Sequence, residues 1–184
     1  DLGTEPLDVE RFISREWHDR EVQKVWRKVW QMVCRADEIP EPGDHINYDI
    51  ADDKLIIMRT KTGEIKALYN ACLHRGRALR TEDGRVSELR CPFHGFSWNI
   101  DGTSKFVPCA WDFPQIDPEN FPLPEAKVAE WNGFVFINMD PNSESLQSFF
   151  GSMLNDWDRW DYSDRIVYSH FGGVIDANWK ITGE

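Results

Sequence analysis

Two five-residue stretches, CLHRG from Cys72 to Gly76 and CPFHG from Cys91 to Gly95, each set one cysteine close to one histidine. Thiolate sulfur and imidazole nitrogen are soft or borderline ligands, so the chemistry they suggest together is metal binding. The first pair is spaced C-x-H and the second C-x-x-H, with sixteen residues (75–90) between them. Each pair follows a strand-like run and opens a loop that contains a glycine, Gly76 or Gly95. Glycine permits a tight turn there and lets backbone N–H groups approach a bound ion or sulfide.

The order of the ligands discriminates between metals. A Cys₂His₂ zinc site typically draws both cysteines from one turn and both histidines from another. Here each loop supplies one of each. In a Rieske [2Fe–2S] centre two cysteines hold one iron and two histidines the other. Two equivalent loops suit that division better than a single tetrahedral ion, which the spacing nonetheless leaves open.

The elements around the loops read as a mainly β (α+β) fold. Residues 9–33 carry Val22, Val25, Trp26, Val29, Trp30 and Val33 at helical spacing, which predicts an amphipathic helix stopped by Pro40, Pro42 and Gly43. From Ile46 to Met139 short β-branched and aromatic runs alternate with turn signals. KLIIMRT and EIKALYN flank KTGE as a hairpin, FSWNI and SKFVP flank DGT, and KVAEW and FVFINM flank Asn132-Gly133. An antiparallel β domain of about six to eight strands is expected. SLQSFFGSMLNDWDRW returns to helical spacing, and RIVYSHFGGVIDANWKI reads as strand. The expected organisation is an N-terminal helical segment (1–43), the β domain carrying the four ligands (44–140), and a helix with the start of a further domain (141–184).

At 184 residues the chain can bury a sizeable core. A formal charge of −11, from 21 basic and 32 acidic residues, argues against nucleic acid and anionic membranes as partners. No apolar run approaches the roughly 18 residues that a membrane span needs, and no signal peptide opens the chain. Cys34 and Cys109 sit in apolar surroundings, QMVCRA and FVPCAW, and are expected to be buried, inert thiols. That usage predicts a reducing, cytoplasmic location. The ending NWKITGE does not read as a natural terminus, so a piece of a longer protein is expected.

At these residues the chain resembles a known family, the large (α) subunits of Rieske non-haem iron oxygenases. CLHRG and CPFHGFSWNIDG match the family's cluster motif, WQMVCRADEIPEPGD and GFVFINMDP look like its flanking signatures, and ANWKITGE like the opening of its catalytic domain. The resemblance implies that Cys72 and Cys91 bind one iron and His74 and His94 the other. It implies a cluster that takes single electrons from a ferredoxin or reductase and passes them to a mononuclear Fe(II). That iron would activate dioxygen to hydroxylate an aromatic or related substrate, as in aromatic hydrocarbon catabolism. A head-to-tail homotrimer, with or without a β subunit, is implied for the whole protein.

The mononuclear iron would be held by two histidines and a carboxylate. His18, His45 and His170 lie far apart and form no such cluster, so they read as surface or packing residues. The catalytic iron is therefore expected in a domain beyond this sequence. Respiratory Rieske proteins are similar in the cluster loops but carry a disulfide where Arg77 and Phe93 stand, and a Ser and a Tyr where Phe96 and Trp98 stand. Fewer donors to the sulfurs imply a lower potential, which favours the oxygenase type. Arg75 and Arg77 are either solvated loop charges or docking contacts. A stand-alone Rieske ferredoxin is the alternative function, and a zinc-stabilised interaction module a third.

Overall fold

The computed structural model describes residues 4–157, 159–162 and 164–183. Asp158, inside the stretch expected to be helical, and Glu184, the last residue of NWKITGE, lie outside the described residues. Two short helices, α1 (Glu10–Ile13) and α2 (Arg15–Glu21), open the chain, and α2 runs into a wider turn over Val22–Trp26. Ser14 caps α2 by accepting a hydrogen bond from the Trp17 N–H.

Strands follow in the order β1 (Gln31–Arg35), β2 (Asp44–Ile50), β3 (Asp53–Arg59), β4 (Ile65–Tyr69), β5 (Gly84–Arg85), β6 (Leu89–Arg90), β7 (Ser97–Trp98), β8 (Ser104–Phe106), β9 (Glu125–Trp131) and β10 (Phe134–Asn138). Every pairing among them is antiparallel. One sheet has the order β1-β10-β9-β4-β3-β2-β5 and a smaller one β6-β7-β8. The three hairpins expected from turn chemistry are present as β3–β4, β7–β8 and β9–β10.

Alternation along β3 and β4 divides the interior in two. Leu55, Ile57, Ile65 and Ala67 join Cys34, Val135 and Ile137 in one core cluster. Residues from both ends of the large sheet thus meet, so the sheet curls into a half-barrel. Ile56, Met58 and Leu68 point the other way, into a second cluster with Cys72, Leu79, Leu89, Cys91, Phe96 and Trp98. That second core exists because residues 70–124 leave the sheet after β4, add β5 at its far edge beside β2, build β6 to β8, and return at β9. The small sheet and both Cys–His loops belong to this excursion, seated on the outer face of β3 and β4.

Several sequence expectations are corrected. The helix does not run to residue 33: β1 begins at Gln31 and pairs with β10 through Gln31↔Ile137 and Met32↔Phe136. Trp26 and Trp30, four apart, fit a helix or a core contact equally, and a free sheet edge beside β10 decides for strand. Nine described strands, β2 to β10, fall in the stretch expected to hold six to eight, because β5 and β6 are two-residue pieces too short to leave a pattern. The second helical stretch is interrupted at Gly151, giving α3 (Leu146–Phe150) and α4 (Met153–Trp157).

RIVYSHFGGVIDANWKI forms no strand among the described residues; it is an extended strap ending in α5 (Trp179–Thr182). Its Ile166, Val174 and Ile175 are exposed. Backbone groups of Tyr162 and Arg165 accept hydrogen bonds from Arg35 instead, and the Val167 N–H donates to Asp37. Among the described residues no helix is long and apolar enough to cross a membrane.

Candidate metal centre

The two loops share one backbone closure. In the first, the Gly76 N–H donates to the Cys72 carbonyl at 2.8 Å and the Cys72 N–H to the Arg77 carbonyl at 2.8 Å. In the second, the Gly95 N–H donates to the Cys91 carbonyl at 3.1 Å and the Cys91 N–H to the Phe96 carbonyl at 2.8 Å. Gly76 (φ 74°) and Gly95 (φ 82°) occupy the left-handed region that this five-residue closure needs. The equivalence inferred from Cys-to-Gly spacing is thus a structural one, although His74 and His94 stand at different places within it.

The structure brings the four expected residues together as two pairs. The Cys72 and Cys91 side chains are within hydrogen-bonding reach of each other and both are buried. Burial pushes the Cys72 thiol up, the neighbouring Cys91 adds to this, and backbone N–H groups of His74 and Arg75 directed at the sulfur oppose it. Such N–H groups stabilise negative charge on sulfur. The imidazoles of His74 and His94 lie edge to face, with centroids 4.8 Å apart. His94 is exposed, whereas His74 is half-buried.

One detail tests whether this donor set suits a metal group. The Nδ1 atom of His74 is buried and has no hydrogen-bond partner among the described residues. A buried polar atom without a partner is costly, by about 1–3 kcal/mol, unless something else takes its lone pair or proton. The same imidazole, on the loop that also carries Cys72, meets that of His94 edge to face. Among the described residues no three His, Cys, Asp or Glu side chains converge as one ion would require. The donors form a sulfur pair and a nitrogen pair. The residues present fit a two-iron cluster.

Aromatic residues hold the nitrogen pair. Phe96 stacks on His74 with centroids 4.9 Å apart and planes 10° from parallel, and Phe113 meets the same imidazole edge-on at 5.8 Å. The indole N–H of Trp98 donates to the Phe121 carbonyl at 2.7 Å, so it is turned away from the loops. All four cysteines are free thiols. Burial, with Glu38 nearby, pushes Cys34 up to about 12 and makes it inert.

Cys109 is exposed, contrary to expectation. It takes a left-handed conformation (φ 51°) ahead of the 3₁₀ turn at Ala110–Asp112, and Val107 fills the buried position instead. His45 is buried, with its ring nitrogens engaged by Arg80 and by the backbone of Gly43 and Glu82, and His170 is exposed. Arg75, Gly76, Arg77, Pro92 and Phe93 line a shallow cleft of about 540 Å³ between the loop tips. The sequence reading missed Phe113, which has no spacing that marks it.

A half-barrel bearing an inserted small sheet, with two equivalent Cys–His loops at its tip, defines an iron–sulfur domain of the Rieske class. Residues 29–117 match the Rieske [2Fe–2S] domain family. Nearly the whole chain is similar to the N-terminal part of Rieske oxygenase α subunits. It is 31% identical over 185 aligned residues to the α subunit of 2-aminobenzenesulfonate 2,3-dioxygenase from an Alcaligenes species, covering 97% of this chain and 46% of that one. It is 29% identical to the carnitine monooxygenase oxygenase subunit of Acinetobacter pittii, covering 92% and 47%. The crystal structure of a quaternary ammonium Rieske monooxygenase with L-carnitine superposes with a TM-score of 0.75 at 28% identity, covering 82% of this chain and 43% of that one. The chain spans about half the length of the curated relatives it matches.

Proposed function

We propose that this chain is the electron-transfer portion of a Rieske oxygenase α subunit, with Cys72 and Cys91 on one iron of a [2Fe–2S] cluster and His74 and His94 on the other. The observation that carries the ligand assignment is the buried, unpartnered Nδ1 of His74, on the same loop as Cys72. When bound, the cluster supplies one-electron transfer. The chain's own contribution is positional. The loop closures fix both cysteines, backbone N–H groups meet the Cys72 sulfur, and Phe96 and Phe113 set the His74 plane.

For the whole protein we propose a dioxygenase or monooxygenase whose mononuclear Fe(II) lies in a catalytic domain outside this sequence. Its electron donor is a ferredoxin or reductase, its assembly a homotrimer with or without a β subunit, and its location cytoplasmic. The relatives act on an aromatic sulfonate and on carnitine, and match this chain at 31% and 29% identity. Aromatic or related substrates remain the proposed class, but the residues that choose among them lie elsewhere. A stand-alone Rieske ferredoxin would not account for similarity to oxygenase subunits over 97% of the chain.

Iron and acid-labile sulfide analysis tests the assignment. The native protein is expected to hold two of each per chain, and Cys72→Ser, His74→Ala, Cys91→Ser and His94→Ala are each expected to abolish the intact cluster. Cys34→Ser and Cys109→Ser are expected to retain it. Full cluster content in any of the first four variants would remove that residue from the ligand set.

A further inference from the structure

The two cluster loops are alike at their tips but not at their bases. Beneath Cys91 the backbone continues as a hairpin, with Arg90↔Ser97 and Leu89↔Trp98 paired between β6 and β7. Beneath Cys72 there is no such hairpin. The Asn70 N–H donates to the Lys54 carbonyl and the Ala71 N–H to the Tyr69 carbonyl, so neither is paired with the chain returning at 78–80.

The Asn70 side chain closes that gap. Its Oδ1 accepts from the Leu79 N–H at 2.8 Å and the Arg80 N–H at 3.0 Å. Its Nδ2 donates to the Arg80 carbonyl at 2.7 Å and to the Asn47 Oδ1 at 3.3 Å. Asn70 is only 4% exposed, and its carboxamide makes four hydrogen bonds. A carboxamide carries the same donor and acceptor as a peptide group, so it stands in for the missing rung of a ladder.

We propose that Asn70 is a positioning residue for the cluster: its side chain fixes the base of the first loop and so sets Cys72 and His74 against Cys91 and His94. Resting on the ligand assignment proposed above, this explains how two loops of unequal support present equal tips. The returning arm is held on its other side by the Arg80 Nε–H, which donates to His45 Nε2 at 3.1 Å on β2. Without Asn70 that contact would anchor only the side chain of Arg80, leaving the backbone under the loop unpaired.

The test uses the cluster-loaded, full-length protein and three variants. Asn70→Leu removes every bond at nearly constant volume. Asn70→Asp keeps the two accepted bonds and is the variant read if Asn70→Leu does not fold. Asn132→Leu breaks a comparable bridge elsewhere, where Asn132 donates to the Trp160 carbonyl and accepts from the Tyr162 N–H. The Asn70 variants are expected to alter the EPR line shape of the reduced cluster and to lose iron to a chelator about tenfold faster than native. Asn132→Leu is expected to lower the melting temperature and leave both properties native.

Native-like EPR and iron retention in folded Asn70 variants would reduce the residue to a general structural role, as would the same changes in Asn132→Leu. Absence of a [2Fe–2S] signal from the native protein would instead overturn the ligand assignment.

Discussion

The imidazole of His74 lies face to face with the ring of Phe96, 4.9 Å between centroids and 10° from parallel. Phe96 is 1% exposed and packs in the core cluster that also holds Cys72 and Cys91. One face of the imidazole is therefore shielded by hydrocarbon that has no hydrogen-bond donor. Phe96→Ala is expected to lower stability by about 3–5 kcal/mol, since it empties a fully buried aromatic site. Denaturant unfolding of the cluster-loaded protein measures this, and a loss below about 1 kcal/mol would contradict the packing described.

The same relationship bears on potential. Hydrogen bonds to cluster sulfur stabilise the added electron; Phe96 offers none, and the Trp98 indole is committed to the Phe121 carbonyl. The midpoint is expected near the lower end of the Rieske range, about −150 mV, and Phe96→Ser is expected to raise it by supplying a hydroxyl donor. Voltammetry that places the native midpoint well above 0 mV would overturn the oxygenase-type assignment.

α5 is tied to α2 by a carboxylate whose protonation has a predictable effect. Glu21 accepts from Lys180 Nζ at 2.6 Å and from the Trp179 indole N–H at 3.0 Å, while Trp179 packs edge-on against Trp26. Burial alone would raise the Glu21 carboxyl. The hydrogen bonds and the charge of Lys180 outweigh it, so the group sits below its ordinary value. A lowered folded-state value means stability that is complete above the ordinary carboxylate range, about pH 4.3, and lost as pH falls through the lowered value. Glu21→Gln is expected to be about 1 kcal/mol less stable than native at pH 7 and equal to it near pH 2. A difference independent of pH would assign the loss to packing.

Arg35 anchors the strap to the edge of the half-barrel. Its guanidinium donates to the Tyr162 carbonyl at 3.0 Å, the Arg165 carbonyl at 2.5 Å and Asp37 at 2.7 Å, and stacks over Phe134. Arg35→Lys is expected to fail as a replacement, because an ammonium group cannot reproduce the planar fork. Hydrogen exchange at the amides of Tyr162, Arg165 and Val167 should accelerate about tenfold in Arg35→Lys, equivalent to about 1.4 kcal/mol. Unchanged exchange would mean that Asn132 and Asp37 suffice to hold the strap.

Where local chemistry decides structure, the sequence was readable. Asn132-Gly133, KTGE and DGT mark three hairpins because only certain residues tolerate those turns, and the Cys-to-Gly spacing marks two loops with one shared closure. Where a distant partner decides, it was not. Gln31–Arg35 is a strand because β10 lies beside it, and residues 164–178 are extended without pairing, held at Arg35 and Asp37 by side-chain bonds. Phe113 packs on His74 from outside the motif, and Asn70 bonds the backbone of Leu79 and Arg80, contacts that spacing cannot show. The exposed Cys109 was misplaced for the same reason: an apolar neighbourhood in sequence does not say which neighbour turns inward.

The central claim is that the two histidines and two cysteines divide between two irons. Electron–nuclear double resonance of the reduced protein, labelled with ¹⁵N-histidine, examines that division directly. Two histidine nitrogens coupled to the cluster's electron spin are predicted, falling to one or to loss of the cluster when either His74 or His94 is replaced. A reduced cluster with no coupled histidine nitrogen, or a colourless protein holding one zinc ion, would contradict the account.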